Sequence, residues 1–239
     1  DSRLDVASPD SAALAVQSVV CSTADGDEPE LRVTRGTATA PRLVAVSVNA
    51  LKNPNTRRSR HMGALQLITG GTGGLGLIAA EWLALNGSTG LVLVSRGGKV
   101  STSSAKLLVA NQSTRFYAAA CDAAEATDLQ HTIAGVVAGS RPRLRGVWHA
   151  AGVLSDGLLT AMSAASLKRV YSPKAHAGWS LQQACATSPL DAMVLFSSVA
   201  AMMGSAGQSN YAAANSCLDA MAADRRSNGQ AASSVQWGP

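Results

Sequence analysis

Thr69-Gly70-Gly71-Thr72-Gly73-Gly74-Leu75-Gly76 follows the apolar run Leu65 to Ile68 and opens a stretch rich in Ala and Leu, Leu77 to Leu85. A glycine-rich turn from a strand into a helix has a specific physical use. Glycines let the main chain turn tightly and approach a ligand closely. The first N–H groups of the following helix, with the positive end of its dipole, stabilise an anion. Two spacings are satisfied together, Gly71, Gly73, Gly76 and Gly70, Gly74, Gly76. In this strand, turn and helix setting either one suits a dinucleotide pyrophosphate, with Thr69 to Gly76 around it. The plainer alternative is a turn kept for packing alone.

Outward from this turn, short β-rich runs alternate with longer helical stretches from Ala64 onward. We read strands at Leu65 to Thr69, Leu91 to Ser95, Phe116 to Cys121, Gly146 to Ala150, Ala192 to Ser198 and Ser233 to Trp237. Each is followed by a turn rich in Gly, Ser or Asp, and Ala- and Leu-rich segments fill the gaps. Right-handed crossovers then give an α/β fold, a doubly wound parallel sheet of Rossmann type. The first sixty residues differ. A Ser, Asp and Glu rich stretch, Ser22 to Glu30, precedes two strand-like runs, Leu31 to Thr34 and Arg42 to Val48, with no crossover helix between them. Too short for a core of their own, they suit an edge hairpin or the remnant of a small domain, joined by the polar linker Lys52 to His61. We place the domain boundary between residues 62 and 63. The chain stops directly after the sixth strand, where ligand-contacting loops of such sheets begin, so we expect the domain to continue beyond Pro239.

With 239 residues, 46% hydrophobic and 15% charged, the chain has the composition of a globular protein. No apolar run reaches the length of a membrane span and the first residues lack a signal-peptide pattern, so we expect an intracellular, cytoplasmic protein with no membrane partner. Cys21, Cys121, Cys185 and Cys217 are scattered without metal-ligand or disulfide spacing. The net charge of +5 suits a phosphorylated cofactor or an acidic partner, or simply solubility. The densest basic cluster, Arg57-Arg58-Ser59-Arg60-His61, has no aromatic neighbours and reads as a solvated linker, which argues against nucleic acid.

The second strand ends Leu93-Val94-Ser95-Arg96, where an enzyme using NAD usually places an acidic side chain on the ribose. Arg96, beside Ser95, can bind a ribose 2′-phosphate and stack on adenine instead, which argues for NADPH; a surface Arg is the alternative. Asp122, after the third strand, can accept from the adenine amino group or cap the helix beginning near Ala123. His149-Ala150-Ala151-Gly152 ends the fourth strand with small residues that let the chain pass close to a cofactor, while His149 itself can equally be a packed core histidine.

Tyr211 and Asn215 stand four apart in a helical stretch and share one face. Ser198 ends the fifth strand, at the sheet edge where ligands bind, so Ser198 and Tyr211 can converge. A tyrosine hydroxyl is a poor acid near neutral pH unless a cation stabilises its anion. Ordinary short-chain dehydrogenases place that cation, a lysine, four residues after the tyrosine, where this chain has Asn215. Lys174, in Tyr171-Ser172-Pro173-Lys174, is a candidate in the helix before the fifth strand, and Lys168 is the other lysine of that region.

The order Thr69 to Gly76, Ser95-Arg96, His149 to Gly152, Pro173-Lys174, Phe196-Ser197-Ser198, Gly207-Gln208 to Asn215 and Trp237-Gly238-Pro239 resembles the ketoreductase domains of modular polyketide synthases and animal-type fatty acid synthases, over Ala64 to Pro239. In that family, a branch of the short-chain dehydrogenase/reductases, lysine and asparagine exchange places, as at Lys174 and Asn215 here. The resemblance implies hydride transfer from NADPH to a β-keto carbon of an acyl thioester on an acyl carrier protein, with neighbouring synthase domains in one polypeptide. It implies that Tyr211 protonates the alkoxide, Ser198 hydrogen-bonds the same oxygen, Lys174 supports Tyr211 and the ribose, and Asn215 orders a relay water. It also implies that Leu31 to Val48 are the last strands of a silent structural subdomain. Leu154-Ser155-Asp156 is similar to the Leu-Asp-Asp motif of ketoreductases giving the D alcohol, with Ser155 in place of the middle Asp. Met203, eight residues before Tyr211, stands where those giving the L alcohol carry Trp. Taken singly, Ser198 can cap a turn, Asn215 or Asp156 a helix, Lys174 can be a surface residue and Tyr211 a core one. A non-catalytic scaffold module and a free-standing short-chain dehydrogenase are the competing functions.

Overall fold

The computed structural model describes residues 32–34, 37–39, 64–102, 105, 114–139 and 143–238. The expected strand at Arg42 to Val48 and the linker after it lie outside the described residues. Two short strands, β1 (Arg32–Thr34) and β2 (Thr37–Thr39), pair antiparallel with Arg32 opposite Thr39. They belong to a compact unit separate from the one that holds the sheet.

The sheet unit runs β3 (Leu65–Thr69), α1 (Gly74–Leu85), β4 (Gly90–Ser95), β5 (Arg115–Ala120), α2 (Ala126–Gly139), β6 (Leu144–His149), α3 (Ala164–Tyr171), α4 (Ala177–Ala184), β7 (Ala192–Ser198), α5 (Ala200–Met203), α6 (Ser209–Ser227) and β8 (Ser233–Trp237). Its six strands lie in the order β5-β4-β3-β6-β7-β8, every neighbouring pair parallel. The winding direction reverses between β3 and β6, the position at which open α/β sheets form a ligand crevice at the carboxyl ends of their strands.

Alternation along the strands builds two cores. Leu65, Leu67, Val92, Val94, Val147 and Leu195 point to one face and pack with Leu129 and Ile133 of α2, Leu181 of α4 and Leu218 of α6. Ile68, Leu91 and Leu93 point to the other face, against Ala80, Leu83 and Ala84 of α1. Each fully buried Leu or Ile side chain contributes about 1.5–3 kcal/mol.

Three strands begin earlier than expected. β4 takes in Gly90, where an added methyl carbon would lie 2.7 Å from Leu65 Cδ1 and would push that buried side chain aside. β6 starts at Leu144 rather than Gly146 because the charge of Arg145 is matched by a bidentate pair with Asp191, both bonds 2.8 Å. β5 starts at Arg115 and ends at Ala120. The residues expected as strand ends, Cys121 and Ala150, still donate to Ser95 O and Thr69 O as the chain leaves the sheet.

The helix expected to carry Lys174 is interrupted. Ser163 caps α3 in a reciprocal box with Ser166, an arrangement that stabilises a helix start by about 1 kcal/mol. Four residues after Arg169, Pro173 has no N–H to continue the ladder, and Ser172–His176 form a π-helical turn before α4 begins. Among the described residues no helix is long and apolar enough to cross a membrane.

Candidate active site

Two clefts meet at the carboxyl edge of the sheet, sharing Leu75, Ala150, Gly152 and Val153. The first, about 390 Å³, is floored by the turn from β3 to α1 and walled by the ends of β4, β5 and β6. Gly70, Thr72, Gly73, Gly74, Leu75 and Gly76 line it, and so do Ser95, Arg96, Asp122, Ala150, Ala151 and Gly152. Packing fixes some of these glycines. Gly70 has a φ of +66°, and a methyl there would lie 2.7 Å from the Ala151 backbone; one on Gly76 would collide with Gly70 O. Gly74 is different: a methyl would meet nothing within 4 Å, so that side of the turn opens on space rather than on protein. Gly71 lines neither cleft and packs against Ile68 O. The cleft therefore fits a dinucleotide: small residues below, helix N–H groups at the turn, and Ser95, Arg96 and Asp122 at the strand ends. Asp122 also accepts from Ala124 N–H at 3.1 Å, tightening the turn ahead of α2.

The second cleft, about 250 Å³, is lined by Leu154, Lys174, Phe196, Ser197, Ser198, Tyr211, Trp237 and Gly238 besides the shared residues. Parallel pairing sets Ser198 beside Trp237, and Trp237 packs on Phe196 with ring centroids 5.4 Å apart. Phe196 and Trp237 stand in the stretches that carry the family resemblance, but neither was read as a site residue in the sequence. The signal existed, because adjacent parallel strands that end together bring their last residues to one edge. Ser198 Oγ also accepts from Ala200 N–H at 3.2 Å, so the same hydroxyl caps the turn into α5.

Lys174 is 4% exposed and reaches the cleft from the π-helical turn. Its Nζ donates to Phe196 O at 2.9 Å and lies 5.2 Å from the centre of the Tyr211 ring. A methyl on Gly152 would come within 2.8 Å of Lys174 Cε, so the lysine chain passes over a glycine that cannot be replaced freely. Burial lowers this amine from 10.5 to about 8, with the Asp219 carboxylate acting in the opposite direction.

Asn215 lines neither cleft. It is fully buried behind Tyr211, donating from Nδ2 to Tyr211 O at 2.8 Å, while its Oδ1 has no partner among the described residues. Such an acceptor suits an ordered water. Asp156 also lies off the clefts and accepts from Gln208 Nε2 at 3.0 Å; Asn210 Nδ2 donates to Ser155 O at 2.8 Å. The loop after β6 is thus tied to the start of α6, which carries Tyr211.

Thr69 and His149 are fully buried and line neither cleft. They face each other across β3 and β6, with Thr69 Oγ1 and His149 Nδ1 2.6 Å apart, and His149 Nε2 lies 2.8 Å from Lys174 O. A carbonyl only accepts, so Nε2 carries the proton and Nδ1 accepts from the Thr69 hydroxyl. Burial, with the Lys174 charge adding, holds His149 down at about 4 against the hydrogen bond to the Lys174 carbonyl.

An amine beside a phenol ring, a hydroxyl on the facing strand and a glycine-lined cleft alongside can together hold a carbonyl, deliver a proton to it and seat a nucleotide. Residues 64–239 match the family model described as KR domain. Polyketide synthase GfsA of Streptomyces halstedii is 41% identical over 223 residues, 89% of this chain and 3% of that synthase. A solved A-type ketoreductase from a modular polyketide synthase superposes with a TM-score of 0.78 at 38% identity, over 89% of this chain and 45% of that one. The ketoreductase from the first module of phoslactomycin biosynthesis in Streptomyces sp. HK803 superposes with a TM-score of 0.79 at 34% identity, over 94% of this chain and 51% of that one. The chain therefore spans about half of these solved chains and a small part of the synthase.

Proposed function

The chain belongs to the KR domain family of ketoreductases, and from that premise we propose that it reduces the β-keto group of an acyl thioester, carried on an acyl carrier protein, at the expense of NADPH. One observation carries the reading: the Lys174 amine lies 5.2 Å from the Tyr211 ring in a cleft that also holds Ser198 and opens into the glycine-lined one. Arg96 and Ser95, with no acidic residue at the end of β4, support NADPH over NADH. The likeness to a synthase of whose length this chain covers 3% supports a module working beside other domains in one polypeptide, inside the cell. Residues 63–239 then form the reductase subdomain, with residues 1–62 belonging to a structural one.

Thr72 to Gly76, Ser95, Arg96, Asp122 and Ala150 to Gly152 would hold the cofactor, which when bound supplies the hydride. Ser198 Oγ donates to the substrate carbonyl oxygen and Tyr211 delivers a proton to the alkoxide as it forms. Lys174, as a cation, stabilises the anion that Tyr211 leaves behind, and Asn215 Oδ1 holds a water through which the proton is replaced. Leu154, Asp156 and Met203 support the D alcohol as product.

The test is NADPH oxidation with a β-ketoacyl thioester, alongside NADPH binding by fluorescence, for the chain alone and joined to its neighbouring domains. Tyr211→Phe is expected to lower turnover by roughly 10²–10⁴-fold while binding persists. Binding and turnover both absent from the wild type in either form would leave a scaffold module.

A further inference from the structure

We infer that Thr69 and His149 form a positioning relay which sets the place of Lys174 through its main chain, rather than contacts to the cofactor. The inference rests on the reductase reading for its chemical meaning and on geometry for its existence. β3 and β6 are the two strands at which the sheet reverses, and Thr69 pairs with His149 in their register. The imidazole spans from the Thr69 hydroxyl (2.6 Å) to the Lys174 carbonyl (2.8 Å), and all three residues are buried.

The π-helical turn explains why this carbonyl is used. Ala177 N–H is shared between Ser172 O and Lys174 O, so the Lys174 carbonyl has a lone pair left for a partner outside the helix. A π-helical turn alone is a loose device for aiming a side chain, because its ladder is irregular. A hydrogen bond from His149 at the end of β6 pins it. Lys174 is then fixed at its carbonyl by His149, along its chain by Gly152 and at its tip by Phe196 O. The Thr69 hydroxyl has a separate duty. By donating to Nδ1 it keeps the imidazole proton on Nε2; with that hydroxyl gone, the proton can move to Nδ1, and Nε2 would then face the carbonyl as a second acceptor.

Thr69→Val keeps the shape and removes the hydroxyl, Thr69→Ser restores it, His149→Leu removes both bonds, and His149→Gln keeps a donor for the carbonyl. Each is made in the full chain. The titration of Lys174 is followed by NMR of ¹³Cε-labelled lysine, assigned with Lys174→Met, and thioester reduction is followed across pH. In Thr69→Val and His149→Leu the Lys174 titration moves upward from its wild-type position as the amine loses its buried seat. There kcat falls about tenfold with the KM for thioester unchanged, and the alkaline limb of kcat moves to higher pH. Thr69→Ser and His149→Gln recover most of both effects. A Lys174 titration unmoved in Thr69→Val, or a kcat loss that follows lost NADPH affinity with the pH profile unchanged, overturns the relay. Should the wild type reduce no thioester while the titration still shifts, the reductase reading fails and the relay stands.

Discussion

At the scale of single residues, His149 ties acid sensitivity to the site. Its native value is depressed to about 4 against 6.5 when unfolded, so between those values the unfolded chain binds the extra proton and stability falls as pH falls. Above pH 6.5 the contribution is fully present; below about 4 it is lost. A shift of this size corresponds to roughly 3 kcal/mol for so fully buried a group. Urea denaturation from pH 7.5 to 4 checks this: the wild type is expected to lose stability across the window, and His149→Gln to flatten the slope. In the sequence, His149 stood open between cofactor contact and core residue. Its bond to a main-chain carbonyl 25 residues away, at the π-helical turn Ser172–His176, is invisible in residue types. Tyr211 and Ser198 were legible because side-chain chemistry names them, Lys174 was chosen over Lys168 by the family resemblance, and the structure brings all three to one cleft.

At the scale of elements, the turn from β3 to α1 separates two kinds of glycine. Gly70→Ala forces a side chain into a positive-φ residue and onto the Ala151 backbone, and should cost about 2 kcal/mol or more of stability. Gly74→Ala meets no protein atom and starts a helix, so its thermal midpoint should hold while NADPH affinity drops. Thermal unfolding and a fluorescence titration on both variants separate the roles, which the sequence spacing alone treats alike. β3 and β7 fall where their apolar runs place them, and β8 falls on the expected Ser233 to Trp237 although it carries no apolar run. β6 does not, because a charged residue paired to Asp191 interrupts the pattern that marks a strand. The π-helical turn is equally hidden: a proline in a helical pattern signals a break, and the choice between a kink, an end and an extra residue per turn is made by packing.

At the scale of the whole molecule, the doubly wound parallel sheet and a ligand site at the carboxyl ends of its strands followed from strand and helix alternation, while the strand order itself was read only from the structure. Cofactor choice is a property of the assembled edge, where Arg96 meets residues from three other strand ends around one cleft. NADPH that binds only the folded chain stabilises it by about 2.7 kcal/mol at a hundred times its Kd, which thermal unfolding reads as a raised midpoint. NADPH should raise the midpoint more than NADH does, and Arg96→Ser should erase most of that difference; equal shifts in the wild type would remove the argument for NADPH.

The β3–β6 pairing also bears on how the molecule comes into being. Thr69 and His149 meet across a separation of 80 residues in the chain, whereas β3, β4 and β5 are neighbours both in the chain and in the sheet. On a ribosome β3, β4, β5 and α1 are exposed well before β6 emerges, so half of the nucleotide cleft must wait with an open edge for its other wall. Vectorial synthesis thus orders assembly as well as sequence: the crevice closes when residue 149 finds residue 69, and Lys174 is seated only after that.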